Sequence, residues 1–473
     1  MKSPSNQGKS NYNQDFRDAI STVDTEGKRI FLYPTKPSGS FFNARVVVSI
    51  VLLALLFGVP FIRIGGQPML MLAIIDRKFF ILGKLFVPQD FHIFVMGMLL
   101  FFVFIVLFTV VWGRIWCGWL CPQTIFMEMI YRRIEYWIEG DAPAQRRLNN
   151  QAWTTEKIQK KAFKHFLFLV VSFLLANMAL SYFIGVDRLQ QMVSGVPTEN
   201  WATFLAVIIT TVVIYYIYAR FREQVCTTFC PYGRLQGVFL DKKSVVVSYD
   251  YKRGEPRGKV QKKATVTANP LGDCIDCGLC VRVCPTGIDI RNGTQLECIN
   301  CTACIDACDS IMEKVDRPTG LVRYASEEEI ETGKRDIWNT RSIAYSVVLV
   351  VLLAVMGFLL GARNIIETTI MRAPGQLYQT AENGDIRNLY TLQIANKTVE
   401  DMPITLQLHS HQGELTIIGH SILLEGKELV DGVFFVQIPK AQLNGLKTKI
   451  ELGIYSNGKL IESVDTNFMG PVR

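Results

Sequence analysis

The chain has 473 residues, 49 % of them hydrophobic and only 19 % charged, with a formal net charge of +8. Soluble globular domains carry roughly 25 % charged residues, so the balance points to a membrane protein, and the length allows several domains. Lys and Arg gather beside the apolar runs, which reads as membrane topology and excludes nucleic acid as the expected partner.

In chain order, residues 1–44 are largely polar. A polar segment of this length before any long apolar run argues against a cleavable signal peptide. Its last part, RIFLYPTKPSGSFFNAR, reads as an ordered lead-in with aromatic residues at a membrane interface. Five segments are long and apolar enough to span a bilayer: 45–62, 92–113, 165–184, 202–219 and 343–361. Segment 66–90 is semi-apolar but interrupted by Pro68, Arg77, Lys78 and Lys84, and is expected to be an interfacial or re-entrant piece. The connection 114–164 holds nine Lys or Arg, 185–200 holds only Arg188, and 220–342 is again rich in both. The positive-inside rule then places the N-terminus, 114–164 and 220–342 in the cytoplasm and 363–473 outside. That tail alternates apolar and polar residues in NLYTLQIANKTV, MPITLQLHS, GVFFVQIP and TKIELGIYSNGKLIES, with Asn457-Gly458 as a hairpin turn. It reads as a β-sandwich.

The expected parts are therefore a cytoplasmic segment at 1–44, a four-helix membrane domain at 45–240, and a cytoplasmic domain at 241–341. A fifth transmembrane helix at 342–362 and an exported β domain at 363–473 follow.

All 12 cysteines lie between 117 and 308, a distribution that suits metal ligation better than disulfides. Eight of them form two runs of spacing C-x2-C-x2-C-x3-C: Cys274, Cys277, Cys280 and Cys284, then Cys298, Cys301, Cys304 and Cys308. This is the spacing of bacterial double-cubane ferredoxins, in which the fourth cysteine of each run ligates the other cluster. Two [4Fe–4S] clusters are expected, one on Cys274, Cys277, Cys280 and Cys308, the other on Cys298, Cys301, Cys304 and Cys284. Structural zinc more often uses two C-x2-C pairs with a longer loop between them. Electron transfer follows as the expected role.

The remaining cysteines stand in WCGWLCPQT (Cys117, Cys121) and CTTFCPYGR (Cys226, Cys230), each pair after the second helix of a two-helix unit. The two C-x3-C-P motifs look like copies in an internal repeat. At i and i+4 on a helix two cysteines share one face, and the following proline ends or kinks that helix. Brought together, the four thiolates suit Cu(I), an iron–sulfur cluster, zinc or a redox-active dithiol couple. Arg114, Arg222 and Arg234 stand nearby as candidate thiolate stabilisers, with membrane anchoring as the plainer role. Trp112, Trp116 and Trp119 read as interfacial anchors. His92 and His165 fall at opposite membrane faces and cannot share a haem. His409, His411 and His420 are candidates for external copper, although a solvated β face accounts for them equally well. No glycine-rich dinucleotide or phosphate motif is present.

With WCGWLCPQT, CTTFCPYGRLQG, CVRVCPTGIDIRNGTQLECINCTACIDACDSIMEK and VDRPTGLVRYAS together, the chain resembles the cytochrome c oxidase accessory proteins called CcoG, FixG or RdxA. The shorter C-x3-C-P pairs are shared with membrane quinol dehydrogenases. The resemblance implies a multi-pass helical protein of the bacterial inner membrane, with an inserted double-cubane ferredoxin-like domain and an exported immunoglobulin-like domain. It also implies a role in assembling cbb3-type cytochrome oxidase, by reducing Cu(II) to Cu(I) for insertion into the oxidase. The expected partners are oxidase assembly factors or copper carriers and a cytoplasmic electron donor. Cys117, Cys121, Cys226 and Cys230 match the family's membrane pairs, and would be the catalytic and metal-binding residues of a cupric reductase. Asp309 stands where soluble ferredoxins often have proline, which removes no ligand. A quinol-linked electron carrier and an assembly scaffold with structural clusters are the alternatives.

Overall fold

A computed structural model describes residues 22–471 except 24, 25, 27, 74–77, 87–89, 197–199, 260–270, 335–338, 363–365, 376, 382, 398–400, 420, 421, 425–428 and 444. The chain divides into two compact units, one of Met1–Gly58, Met98–Leu180 and Leu189–Leu353, the other of Val59–Gly97, Ser181–Arg188 and Ala354–Arg473. Among the described residues, five helices are long and apolar enough to cross a membrane: Ser40–Phe61, Phe91–Trp112, Thr155–Ile184, Trp201–Phe221 and Thr340–Gly361. They are apolar around most of their circumference, so Val47, Ile50, Phe101, Phe102, Val350 and Phe358 stay exposed on the protein. Lipid is the solvent for such faces.

In the first unit, the second and fourth spans end in the same way. A residue with positive φ stops each span, Gly113 (φ 57) and Arg222 (φ 53). One short turn of helix follows in each case, Ile115–Trp119 or Val225–Phe229, and then an extended cysteine, Cys121 (ψ 123) or Cys230 (ψ 112). Pro122 and Pro231 open the next helices, where proline's fixed φ fits and its missing N–H costs nothing. The expectation that each cysteine pair shares one helix face is corrected here. The helix is broken at the second cysteine, because the chain must turn extended before the proline.

Strands Val246–Tyr249 and Val322–Ala325 pair antiparallel and bracket the eight-cysteine segment. Helix Ala303–Lys314 packs beneath them, with Val247, Tyr249, Ile290, Ile305, Met312, Leu321 and Val322 forming the apolar core. A second feature of this unit was not expected. Arg132, 1 % exposed, sits in an ionic network of Glu128 (2.6 Å), Glu223, Arg29, Arg222, Glu135, Lys164, Glu139 and Lys161. Arg222 grips Glu135 with both terminal nitrogens, at 3.1 and 2.7 Å. Arg222 therefore serves this network, and the side chain of Arg234 lies outside the described residues.

In the second unit, the tail is a sandwich of two antiparallel sheets. One runs Glu414–Ile418, Leu429–Ile438, Ile386–Asn396, Ile366–Arg372, with Gln379–Thr380 beside Ile386–Asn396. The other runs Ile422–Leu424, Met402–Leu408, Lys447–Ser456, Lys459–Met469. Between them lie Tyr390, Ile394, Phe434, Val436, Leu452, Ile454 and Phe468. Asn457 (φ 51) and Gly458 (φ 76) make the left-handed turn their dipeptide announces.

Segment 66–90, expected to be an interfacial or re-entrant piece, is built of short strands in its described residues. A small hairpin, Arg63–Ile64 with Gln67–Pro68, leads into a three-stranded meander of Leu70–Ala73, Lys78–Ile81 and Lys84–Phe86. Phe80 and Leu85 bury against Ala395 of the sandwich. Lys397 is 4 % exposed and bonds Asp90 at 2.8 Å, with Glu367 as a second partner. Of the charges that broke the apolar run, Lys84 is an exposed strand position, while Arg77 and the side chain of Lys78 lie outside the described residues.

Candidate metal centres

The two cysteine runs repeat in backbone as well as in spacing. Asp276 (φ 51) and Gly278 (φ 65) flank Cys277, and Asn300 (φ 53) and Thr302 (φ 63) flank Cys301. Glycine and asparagine accept that region readily. Thr302 is held there with its hydroxyl donating to the Cys301 carbonyl at 2.6 Å. A short helix starts directly after each left-handed pair, Leu279–Arg282 and Ala303–Lys314. The loops thus curl around two small cavities of about 20 Å³ each. Cys274, Cys277, Cys280 and Cys308 line the first with Tyr249, Met312 and Leu321. Cys284, Cys298, Cys301 and Cys304 line the second with Val247, Ile288 and Ile299, and Cys280 touches it too.

Both spaces are lined mainly by apolar groups and cysteine sulfurs, with Arg291 beside the first and Thr286 and Thr302 beside the second, a setting that suits an anionic metal–sulfur group. Burial pushes the Cys298, Cys280 and Cys308 thiols up to about 12 and that of Cys301 to about 11. The metal-free side chains are therefore neutral, and metal must displace their protons. Cys277 is exposed, whereas Cys301 is buried. One centre faces outward and the other inward.

The inward centre meets the C-x3-C-P motifs. Cys117 and Cys226 pack against the cluster of Val283, Ile299, Cys301, Ala303 and Ala307, beside Cys304. Cys117, Cys121, Cys226 and Cys230 lie within electrostatic range of one another, and burial, ahead of that mutual repulsion, pushes the Cys117 and Cys226 thiols up to about 12. The Cys117 thiol donates to Gln236 Oε1 at 3.4 Å. Among the described residues no three His, Cys, Asp or Glu side chains converge closely enough for one metal ion.

Close approach is built in with glycine. A Cβ on Gly118 would fall 2.6 Å from the Ile299 carbonyl oxygen and 2.7 Å from that of Asn300, so only glycine fits there. Arg45 of the first span donates to the carbonyls of Gly118 (3.1 Å) and Cys301 (2.9 Å), bridging motif and cluster loop. Arg114 donates to the carbonyls of Leu296 and Gly233, holding backbone around the cysteines. Trp119 donates to Tyr324 Oη at 3.0 Å, a docking contact beyond the anchoring expected of it.

Asp306, between the last two cysteines, accepts from the Phe41 and Phe42 amides at 3.1 and 2.8 Å. It caps the N-terminus of the first span from a distant part of the chain, where a carboxylate also meets the positive end of the helix dipole. Gly39 precedes it because any Cβ there would overlap the Asp306 carboxyl. Asp306→Ala is expected to cost about 1–2 kcal/mol, read as a lower unfolding midpoint of the full chain, with Asp306→Asn intermediate. An unchanged midpoint in Asp306→Ala would show that the cap carries no stability. Neither Asp306 nor Arg45 belongs to a spacing motif, so sequence reasoning passed over both.

Comparison with known proteins follows the same division. Residues 221–327 match the 4Fe-4S dicluster domain, residues 94–141 a 4Fe-4S binding domain, and residues 356–471 the IG-like fold at the C-terminal of FixG. Protein RdxA of Cereibacter sphaeroides is 34 % identical over 403 residues, covering 81 % of this chain and 83 % of that one. The chain belongs to the FixG/RdxA family. Protein RdxB of the same organism is 32 % identical over 418 residues, 84 % of this chain and 86 % of its own. Nitrogen fixation protein FixG of Rhizobium meliloti is 29 % identical over 462 residues, 88 % of each chain. As a FixG/RdxA-family member the protein is a multi-pass membrane iron–sulfur protein, and its matches support two clusters and a role in membrane electron transfer.

Proposed function

We propose that the protein takes electrons from a cytoplasmic donor, delivers them to the membrane face, and there reduces Cu(II) to Cu(I) in support of cbb3-type cytochrome oxidase assembly. The observation that carries this reading is the packing of Cys117 and Cys226 against the wall of the buried cysteine space. On this reading Cys274, Cys277, Cys280 and Cys308 hold one [4Fe–4S] cluster, and Cys284, Cys298, Cys301 and Cys304 the other. Such clusters supply one-electron storage. The division of the eight cysteines between the two spaces supports the crossed assignment.

The protein's own residues do the rest. Exposed Cys277 marks the side a soluble donor approaches, and Val247, Ile288 and Ile299 keep water from the inner space. Arg45, Gly118 and Arg114 fix the distance between the cluster loop and the membrane cysteines. Thiolates favour Cu(I) over Cu(II). On this reading copper is a passing substrate, held by a pair of these thiolates and released to a copper carrier or assembly factor. The basic connections 114–164 and 220–342 are cytoplasmic, and the immunoglobulin-like tail is periplasmic.

The test replaces Cys117, Cys121, Cys226 and Cys230 with Ser in the full chain. The variant is expected to keep eight irons, while Cu(II) reduction by the dithionite-reduced protein falls to background. Copper reduction at the wild-type rate would overturn the site. Twelve irons in the wild type, dropping to eight in the variant, would put a third cluster there and take copper out of it.

A further inference from the structure

The third and fourth spans enclose a feature that the cluster chemistry does not use. An apolar groove of about 490 Å³ runs between them, lined by Leu169, Phe173, Phe204, Ile208, Thr211 and Met192 among others. One helical turn before Leu169 stands His165, and one turn after Thr211 stands Tyr215. These two share a hydrogen bond between Tyr215 Oη and His165 Nδ1 at 2.9 Å, one helical turn beyond the groove's lining. His165 remains exposed. The site is thus an apolar slot within the span region with a polar, titratable pair one turn beyond it.

The pair also begins a file of aromatic rings. His165 meets Phe168 edge-on at 6.1 Å, Phe168 meets Tyr131 at 4.9 Å, and Tyr131 stacks on Tyr218 at 4.4 Å and 11°. Phe168, Tyr131 and Tyr218 are all buried. Tyr218 lies within electrostatic range of Cys121 and Cys226. A membrane acyl chain would need the slot alone. It has no use for a histidine one turn beyond the lining or for a file of rings leading from it toward the membrane cysteines.

We propose that this groove binds an isoprenoid quinol, with its tail between the third and fourth spans and its ring at His165 and Tyr215. Electrons then enter the protein from the membrane as well as from the cytoplasm. The proposal rests on the electron-transfer reading above and adds a donor to it. In the tautomer whose Nδ1–H donates to the Tyr215 oxygen, His165 Nε2 is free to accept a quinol proton. Each quinol loses two protons, one to His165 and one to interfacial water. Its two electrons leave singly along Phe168, Tyr131 and Tyr218 toward Cys121 and Cys226, where two Cu(II) become two Cu(I). The quinol is oxidised to quinone, and the protons reach the aqueous phase.

Two measurements on the full chain in lipid nanodiscs test this. A photoreactive isoprenoid quinone is expected to label peptides from 165–173 and 204–215, and excess unlabelled quinol is expected to displace it. Phospholipid of matching chain length should not. Quinol-driven copper reduction is expected to fall about tenfold in His165→Gln, the scale of one lost hydrogen bond to a reacting group. Ile208→Trp, which fills the slot, should abolish labelling and slow the quinol-driven rate, while the dithionite-driven rate stays unchanged in both variants. Displacement of the label by phospholipid alone, or a quinol-driven rate unaltered by Ile208→Trp, would overturn the proposal. If dithionite-reduced protein fails to reduce Cu(II) while the label still maps to the groove, the copper reading falls and the quinol site stands.

Discussion

Arg132→Ala is expected to lower the stability of the full chain by about 3–5 kcal/mol, because it strands buried carboxylates without their counter-ion. Arg132 is 1 % exposed, bonds Glu128 at 2.6 Å and faces Glu223 at 3.5 Å. Burial alone would favour its neutral form, but Glu128 and Glu223 overcome that and hold its pKa above the ordinary value. The same logic applies at Glu139, where burial works against the charge and Lys164 and Lys161 still keep the carboxyl below its usual range. Removing both partners should cost less than the sum of the single changes, since Glu128→Ala leaves Arg132 only Glu223 to pair with. Arg132→Lys should fall between, because an ammonium cannot fork between two carboxylates. The measurement is chemical unfolding of the purified protein in detergent, for the two single variants and the double. Additive losses would show that the pair is not coupled. A loss under 1 kcal/mol for Arg132→Ala would show that water reaches the site.

What the sequence discloses and what it hides follow different physics. The five spans and the alternating tail are legible because lipid and a sheet face each impose a period on the residues themselves. Segment 63–91 is not, because its strands are two to four residues long. Its turn also uses Leu82-Gly83, with Leu82 at φ 52, instead of the Asn-Gly that advertises the tail's hairpin. The helix break at Cys121 is half legible: Pro122 announces a boundary, but i,i+4 spacing suggests a continuous face until the extended ψ is seen. Long-range partners are the least visible. Asp306 lies 265 positions from Phe41, and Arg45 lies 256 from Cys301. No local pattern links residues so far apart. The nine-residue ionic network likewise looks, along the chain, like ordinary positive charge at the membrane edge.

Removal of iron from the full chain by anaerobic chelation is expected to open residues 244–334 to protease while the sandwich of 366–471 stays resistant. The argument is one of core size. The ferredoxin-like segment has two four-residue strands and one twelve-residue helix, with few other regular elements. Its buried apolar residues are interleaved with cysteines, among them Cys274 in one core and Cys301 in the other. Segments this small seldom fold on apolar burial alone. Metal binding supplies the difference, and here its free energy is folding free energy. The tail has its own core cluster of sixteen buried hydrophobic residues among those described, and no cysteine, so it has no reason to respond. Limited proteolysis with mass mapping reads the outcome directly, and a graded series strengthens it. Cys301→Ser, at a buried cysteine, should expose the segment more than Cys277→Ser at an exposed one. The first span should loosen with it, since Asp306 can no longer cap Phe41 and Phe42 once its helix is lost. Cleavage after Gly39 therefore ought to appear only in the iron-depleted chain. Equal protection of 244–334 with and without iron would mean that the apolar core is sufficient, and that the clusters serve electron transfer alone.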